Sequence, residues 1–205
     1  MKGRRARGPA AGARRTAASG PGSGTERLWA PWRMRWLRHA GGSGGCLFCR
    51  VAAGRADRRD LVLARRPQAM LMLNRYPYTS GHVMVAVVRH AARFRDLTPA
   101  ERSDVLDLVS LAERALEVEF APDGVNYGLN VGKVAGAGFP GHLHMHLVPR
   151  WEGDTNFMPV VASTRVLPES LGDTWSRLRR AVAKLGGDAP ARADRKGGRR
   201  GSKVR

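Results

Sequence analysis

The alternation of apolar and polar residues predicts a series of short strands. Three apolar runs, at residues 61–64, 69–73 and 82–88, are bounded by turn-forming residues and are typical of strands. Two later segments, at 124–132 and 142–149, complete a set of about five. The last of them alternates between histidine and large apolar side chains, which predicts one polar and one apolar face.

One long helix is predicted between the third and fourth strands. Apolar residues recur at helical spacing from Val105 to Leu116, and we expect the helix to end near Phe120. Its start is predicted at Thr98, because a proline follows in the first helical position and Glu101 completes a capping box. Several adjacent strands with a single long helix indicate an α+β fold, with an antiparallel sheet and helices on one side.

Two shorter helices are predicted outside this core. The first is expected to open at the Cys-Leu-Phe-Cys segment, residues 46–49, and to end near Gly54. The second is expected to run from Pro168 to about Leu185 at the C-terminal end of the domain.

The positive charge of the chain is concentrated at its two ends. The 205 residues carry a net charge of +19; residues 1–23 hold six basic residues and no acidic one, and residues 186–205 hold seven basic and two acidic ones. Both ends have almost no large apolar residues, so we expect them to be disordered. One domain is therefore expected over residues 24–185, between basic tails that either solubilise the chain or bind polyanions non-specifically.

Several classes of protein are excluded by what the sequence lacks. No stretch of about 18 apolar residues is present, so no membrane-spanning helix is expected. The basic N-terminus has no apolar segment of the kind found in secretory signals. Both cysteines lie in a single Cys-x-x-Cys, which excludes a disulfide scaffold and favours a reducing, cytoplasmic location. The body of the chain has no helix-turn-helix, RRM or zinc-finger pattern.

Three of the six histidines lie in the last predicted strand. His142, His144 and His146 alternate with large apolar residues and therefore share one face. Packing explains one such histidine, whereas three beside a glycine-rich loop indicate a function. The pattern suits metal binding, since neutral imidazoles are common ligands, and it suits nucleophilic attack on phosphorus. The spacing leaves both readings open.

The segment His142-Leu-His-Met-His146-Leu-Val resembles the signature of the histidine triad (HIT) superfamily. The similarity extends beyond the triad. Segments that resemble the Fhit branch or the bacterial diadenosine tetraphosphate phosphorylase subgroup lie at residues 28–33, 73–77, 81–85, 130–132, 148–151 and 153–157. The resemblance covers about residues 26–184 and implies a HIT-like antiparallel sheet.

The resemblance implies an enzyme that cleaves dinucleoside polyphosphates, with diadenosine tetraphosphate as the favoured substrate. His144 would attack the α-phosphorus and form a covalent nucleotidyl-histidine, which phosphate or water would then resolve. His146 and backbone amides between Gly138 and Gly141 would hold the phosphoryl oxygens. The triad also includes His142, whose role is linked to a metal site.

Two asparagines are expected to bind the nucleotide. By resemblance, Asn74 would contact the ribose region and Asn130 a phosphate or the nucleophile. The loop before the triad departs from the Fhit and Hint patterns, which offer Gln and Thr or Ser there. This chain has Gly138 and Phe139, so that loop supplies no side-chain donor for the leaving group.

Two other functions remain open from the sequence. A Hint-like purine nucleoside phosphoramidate hydrolase would use the same triad on monophosphoramidates. A non-catalytic nucleotide-binding regulator would bind nucleotide without covalent turnover, and its basic tails would engage nucleic acid.

Cys46 and Cys49 alone fit a redox pair or buried small residues as well as they fit a metal site. A structural zinc needs four ligands, and His90 and His142 would supply the other two. This layout resembles the zinc site of several bacterial HIT proteins and of galactose-1-phosphate uridylyltransferase. The resemblance therefore implies a structural Zn²⁺ that holds the N-terminal segment against the triad strand and orients His142.

Two further expectations concern packing and assembly. His82, at the start of the third strand, is expected to be packed with a backbone hydrogen bond, with a contact to the triad strand as the alternative. HIT proteins of these branches commonly form dimers, so a homodimer is expected. Trp29, Trp32 and Trp36 form an aromatic stripe that either contacts the second copy or packs within its own subunit.

Overall fold

The computed structural model describes residues 45–154 and 168–187 of the chain. Four helices and five strands lie within these ranges. In chain order they are α1 (Leu47–Ala53), α2 (Asp57–Asp60), β1 (Val62–Arg65), β2 (Ala69–Leu73), β3 (Val83–Val87), α3 (Pro99–Phe120), β4 (Gly124–Leu129), β5 (His144–Arg150) and α4 (Leu171–Lys184), with a short 3₁₀ turn at Phe94–Asp96.

The strands form one antiparallel sheet in the order β1-β2-β3-β5-β4. The strand that carries the histidines, β5, is therefore paired on both sides. His146 lies opposite Met84 of β3 and opposite Gly128 of β4. The predicted α+β class and the antiparallel sheet of about five strands are confirmed.

One face of the sheet forms the main core. Leu71, Val85 and Leu147 point to this face and pack with Leu108 of α3 and Leu178 of α4. All five side chains are at most 1% exposed. Burial of this many aliphatic side chains is the main favourable term in folding, at about 25 cal/mol per Å² of apolar surface.

The opposite face carries a second apolar cluster and a helix that the sequence did not lead us to expect there. Met70, Met72 and Met84 pack with Phe48 and Val51 of α1. Helices therefore cover both faces, whereas the sequence predicts them on one side. The difference arises because α1 is short but presents two fully buried apolar residues on one side.

The start of α3 has the predicted chemistry. The hydroxyl of Thr98 accepts a hydrogen bond from the Glu101 backbone, and the Glu101 carboxylate accepts one from the Thr98 backbone, 2.8 Å away. Pro99 occupies the first position of the helix. The helix ends at Phe120 because Ala121 adopts a left-handed conformation, with φ of 42°.

The turn between β2 and β3 sets the position of the next strand. Gly81 has φ of +80°, and a Cβ on this residue would lie 3.0 Å from Leu116 of α3. Only glycine meets both requirements without strain. The turn therefore sits against α3 and delivers His82 to the start of β3.

Some sequence expectations differ from the structure or fall outside its range. The helix α2 and the 3₁₀ turn were not predicted, because segments of four and three residues carry little periodicity. The tryptophan stripe at Trp29, Trp32 and Trp36 lies outside the described residues. So do the tails at 1–23 and from residue 188 onward, and the boundaries of the predicted domain stay a prediction. Within the two described ranges, no helix is long and apolar enough to cross a bilayer.

Candidate active site and metal centre

The strand β5 presents its polar side chains on the face that α1 partly covers. His144 and His146 lie opposite Ala86 and Met84, whose side chains belong to the cluster beneath α1. Leu147, the next residue in the alternation, points to the other face and is buried in the main core. The face that bears His144 and His146 is called the histidine face below.

His144 is held in one orientation by the backbone. Its Nδ1 lies 2.8 Å from the carbonyl oxygen of His142, and the side chain is only 5% exposed. Because a carbonyl accepts, Nδ1 carries the hydrogen and Nε2 keeps its lone pair. The ring of Phe48 lies 4.7 Å away, and burial lowers the pKa of His144 below its usual range. The imidazole is therefore neutral near pH 7, as a nucleophile must be.

His146 is oriented by a second histidine. Its Nδ1 lies 3.0 Å from Nε2 of His82, and the backbone N–H of Tyr78 donates to Nδ1 of His82 over 3.2 Å. The neutral His82 ring therefore carries its hydrogen on Nε2 and donates it to His146. His146 in turn carries its own hydrogen on Nε2, which is a donor suited to a phosphoryl oxygen.

The sequence leaves two alternatives for His82, and the structure contains both contacts. The residue is fully buried, with 0% exposure, and it accepts a backbone hydrogen bond while it contacts the triad strand. The ring of Tyr78 lies 4.6 Å from that of His82. The contact between His82 and His146 depends on the register between β3 and β5, which sequence patterns do not specify.

Asn74 lies beside the same pair of histidines. Its side-chain oxygen accepts a hydrogen bond from the Tyr76 backbone at 2.9 Å, which directs the amide nitrogen toward His82 at 3.4 Å. The side chain is half-buried at the end of β2, on the histidine face.

The other predicted nucleotide-binding residues lie on the loops around β5. Asn130 directly follows β4, and Gly138 and Gly141 lie in the loop that leads into β5. A Cβ on Gly141 would lie 3.4 Å from the ring of His90, so this glycine borders the predicted metal ligands. Phe139, in place of a polar donor, packs edge-on against Phe48 at 5.6 Å.

The four predicted metal ligands come together in the fold. The ligand atoms of Cys46, Cys49, His90 and His142 all lie within 4.8 Å of one another. Sulfur-to-nitrogen distances are 3.2 Å from Cys46 to His142, 3.2 Å from Cys49 to His90 and 3.6 Å from Cys49 to His142. Tetrahedral zinc with bonds of about 2.0–2.3 Å separates its ligands by about 3.3–3.8 Å, so the group fits such a metal.

His142 has the orientation of a metal ligand. Its Nε2 lies 2.8 Å from the carbonyl oxygen of Val87 and therefore donates to it, which leaves the lone pair of Nδ1 directed at the two cysteines. Burial lowers the pKa of His142, which favours the neutral, ligating form. Burial, together with the neighbouring Cys46, raises the pKa of the Cys49 thiol, and a bound cation would act in the opposite direction.

The predicted metal ligands and His144, the predicted nucleophile, are connected through one residue. The side chain of His142 belongs to the metal-binding group, and its carbonyl fixes the ring of His144. A metal at this site would hold the start of β5 against α1. It would act through the position of His142, because all four ligands are protein atoms.

Comparisons with known proteins agree with this architecture. A family model described as HIT domain matches residues 55–153. The AP-4-A phosphorylase of Mycobacterium tuberculosis is 36% identical over 157 residues, which cover 73% of this chain and 80% of that protein. An asymmetrical bis(5'-nucleosyl)-tetraphosphatase of Schizosaccharomyces pombe is 33% identical over 93 residues, which cover 45% of this chain and 50% of that protein.

A solved structure supports the same assignment. A Zn-bound histidine triad family protein from Mycobacterium smegmatis is 27% identical and superposes with a TM-score of 0.56. The match covers 71% of this chain and 98% of that one. The chain belongs to the HIT family.

Proposed function

We propose that this HIT enzyme cleaves dinucleoside polyphosphates, with diadenosine tetraphosphate as its favoured substrate. The observation that carries the proposal is the fixed orientation of His144, whose Nδ1 is bound by the His142 carbonyl while its Nε2 keeps the lone pair. The similarity to the mycobacterial AP-4-A phosphorylase over 73% of the chain supports the choice of substrate.

The proposed reaction proceeds through a covalent intermediate. Nε2 of His144 attacks the α-phosphorus, a nitrogen–phosphorus bond forms, and the bond between that phosphorus and the bridging oxygen breaks. The electron pair of the broken bond leaves with the oxygen of ATP. An oxygen of phosphate or water then attacks the same phosphorus and displaces Nε2, which yields ADP or AMP respectively.

The neighbouring residues are assigned supporting roles. We assign to the Nε2–H of His146, oriented by His82, a hydrogen bond to a non-bridging phosphoryl oxygen, where negative charge increases in the transition state. Asn74 is assigned to the ribose region and Asn130 to a phosphate. Backbone amides near Gly138 and Gly141 are assigned to the remaining phosphoryl oxygens.

The products distinguish the two outcomes of the second step. Purified protein is incubated with diadenosine tetraphosphate, with and without inorganic phosphate, and the nucleotides are separated by chromatography. ADP and ATP that form only with phosphate indicate a phosphorylase. AMP and ATP without phosphate indicate a hydrolase that uses the same histidine.

The variant His144→Ala tests the role of the nucleophile, and we expect its turnover to fall at least about 1,000-fold. Unchanged turnover of dinucleoside polyphosphates by this variant would contradict the proposal. Turnover of adenosine phosphoramidate in place of the dinucleotide would favour the Hint-like hydrolase. Tight nucleotide binding with no turnover, and loss of cellular activity when the tails are removed, would favour the regulator.

We propose that the metal-binding group holds a structural zinc. Two thiols and two imidazoles are a ligand set that zinc prefers, and the separation of their atoms supports a tetrahedral site. The Zn-bound relative with 27% identity supports the same metal. Zinc would neutralise the thiolates and restrain the start of β5; His144 would perform its chemistry without contact to the metal.

The assembly and location of the protein are also proposals. A homodimer is supported by the strand β4, which pairs with β5 on one edge and, among the described residues, with no strand on the other. Tyr127 and Leu129 of this strand are 41% and 36% exposed. A reducing, cytoplasmic location is supported by two cysteines that are free thiols directed at histidines. Polyanion binding is assigned to the basic tails.

A further inference from the structure

The polar surface of the histidine face continues past the triad along β5. Residues two apart on a strand point to the same side, so Val148 and Arg150 follow His146 on this face. On the neighbouring strand, Gly128 lies opposite His146 and Asn126 lies opposite Val148. Arg150, Asn126 and Gly128 are all exposed.

Arg150 is directed back along the face toward the histidines. Its Nη1 donates to the side-chain oxygen of Asn126 over 3.2 Å. Because Asn126 lies opposite Val148, two residues from His146, this contact places the guanidinium about 7 Å from His146, measured along β5. Asp154 accepts from Nε and Nη2 of Arg150 and fixes the plane of the group. These three hydrogen bonds use three of the five guanidinium hydrogens, and one hydrogen on Nη1 and one on Nη2 are left to bind a ligand.

The space between Arg150 and His146 is bounded by a glycine. A Cβ on Gly128 would meet no atom within 4 Å among the residues that the structure describes. Its φ is not in the left-handed region, so the backbone does not require glycine at this position. The absence of a side chain therefore leaves room directly beside His146.

The two ends of the histidine face differ in chemistry. On the β2–β3 side, Met72 and Met84 are buried in one cluster with Phe48 of α1, and Asn74 follows Met72 on the same face. On the β5–β4 side the face is open and carries a cation and an amide. Around a phosphorus that lies over His144, the face is thus covered and apolar in one direction and exposed, with phosphate-binding groups, in the other.

From this arrangement we propose that Asn126, Gly128 and Arg150, named the distal site, bind the polyphosphate chain that leaves from the reacting phosphorus. The inference deepens the proposed function and rests on it. Arg150 contacts a phosphate beyond the β-position, and Gly128 keeps the path from His146 open. The distal site makes the enzyme prefer substrates with a long phosphate chain over those with a short leaving group.

The ion pair with Asp154 also has a structural effect. It closes the turn after β5, where the Asp154 backbone donates to the Trp151 carbonyl over 3.1 Å and Gly153 has φ of +71°. A purely structural role for Arg150 predicts that its loss affects every substrate equally. A role in the distal site predicts an effect on long substrates alone.

The test compares two substrates that share the adenylyl group and differ in what leaves. Diadenosine tetraphosphate reaches the distal site, whereas the p-nitrophenyl ester of AMP does not. For Arg150→Ala we expect kcat/KM to fall about 10- to 100-fold with the tetraphosphate, chiefly through KM, because a charge-assisted contact is lost. With the ester we expect kcat/KM to change less than about threefold, and Arg150→Lys to recover part of the loss.

Gly128 provides an independent variant. Gly128→Val places a branched side chain beside His146, and it raises strand propensity, so the fold is retained. We expect a larger loss with the tetraphosphate than with the ester, and a melting temperature no lower than that of the wild type. Gly172→Val is the control, because it makes the same change at an exposed position of α4, which packs on the opposite face of the sheet, and a Cβ there would make only an ordinary contact of 3.8 Å with Ser170.

The outcomes separate failure of this inference from failure of the proposed function. Equal losses on both substrates for Arg150→Ala, or no loss on either, overturn the distal site while the function stands. A wild-type enzyme that turns over the ester but not the tetraphosphate overturns the proposed substrate and the distal site together. A wild-type enzyme inert on both overturns the proposed chemistry.

Discussion

His82 shows how one buried imidazole can set the state of another. Its Nδ1 accepts from the Tyr78 backbone and its Nε2 donates to His146, so its neutral form is confined to one tautomer. His82 is fully buried, and the ring of Tyr78 lies 4.6 Å from its own. In the proposed reaction, His82 is thus a positioning residue that acts through His146.

The variant His82→Ala should lower kcat about 10- to 100-fold with little change in KM, because His146 loses the partner that keeps its Nε2 protonated. His82→Gln should recover part of the rate, since its amide can donate to Nδ1 of His146 from nearly the same point. Steady-state kinetics measures both. A His82→Gln enzyme as slow as His82→Ala, with both variants folded, would indicate that His82 only fills space.

Sequence patterns identify the histidines but not how they are connected. The alternation in β5 places His144 and His146 on one face, and the resemblance assigns their chemistry. The contacts of His82 with His146 and of Arg150 with Asn126 join residues 64 and 24 positions apart. Such pairs depend on the strand register in the folded sheet, which a single sequence does not encode locally.

At the level of single elements, the start of α3 carries a buried charge. The Glu101 carboxylate is 3% exposed and accepts from Nε of Arg89 at 2.8 Å and Nη2 at 2.9 Å, besides the Thr98 backbone. The Arg89 contact, with the backbone hydrogen bond, lowers the pKa of Glu101 from 4.5 to about 2, against the opposing effect of burial.

Because the folded pKa lies below the unfolded one, this carboxylate stabilises the fold above pH 4.5, and the contribution disappears as the pH falls toward 2. Glu101→Gln should therefore lower the unfolding free energy by about 1–2 kcal/mol at pH 7, a modest value because solvent screens the half-exposed Arg89. The loss should be smaller at pH 3. Urea unfolding at both pH values measures it. Asp107→Asn, an exposed change on the same helix, should show the same small difference from the wild type in unfolding free energy at both pH values. A loss of unfolding free energy in Glu101→Gln that is equal at pH 7 and pH 3 would contradict the assignment.

The helix α1 depends on its surroundings for stability. It has seven residues and no side-chain cap, so it is held by Phe48 and Val51 in the apolar cluster and by the metal-binding group. Loss of the metal should therefore loosen α1 first, together with the Phe48 ring that covers His144.

Zinc removal tests this dependence. The wild type should bind one zinc per chain, and zinc at about 1,000 times its Kd should contribute about 4 kcal/mol, or about 10 °C in melting temperature. Cys49→Ser should lose the metal and melt at the temperature of the zinc-free wild type. Elemental analysis and calorimetry measure both quantities. Full zinc occupancy in Cys49→Ser, or a melting temperature that zinc does not change, would contradict a structural site.

The elements themselves differ in how well their sequence predicts them. The residues 69–73 form β2 as predicted, and α3 extends from Pro99 to Phe120 as predicted, because both have strong periodicity and clear end signals. The fourth strand ends at Leu129 rather than at 132; its last pair is Leu129 with Met145, and Gly132 takes a left-handed φ of 89° that no strand contains. The short α2 and the face that α1 covers depend on tertiary contacts.

At the scale of the whole molecule, the edge of β4 that pairs with no strand among residues 45–154 and 168–187 is the surface on which a second copy is proposed to pair. Leu129→Lys should give a monomer, because a charge on an edge strand opposes strand-to-strand pairing. Phe94→Lys, which changes an exposed apolar side chain on the 3₁₀ turn, is the control and should leave the dimer intact. Sedimentation velocity measures both. A monomeric wild type, or a Leu129→Lys dimer, would contradict the proposed interface.

The strands β4 and β5 differ in how many neighbouring strands they pair with, and this difference matters for directed evolution of the enzyme. The residues 145–147 of β5 are paired with neighbouring strands on both sides, so most random changes there would abolish folding. Among the described residues, β4 is paired on one side only and is mostly exposed, and its residues Asn126 and Gly128 lie on the histidine face. A library confined to positions 126 and 128 would sample new leaving groups while most of its members still fold. On the proposed mechanism, new substrate preferences are accordingly easiest to reach through β4, which carries none of the triad histidines.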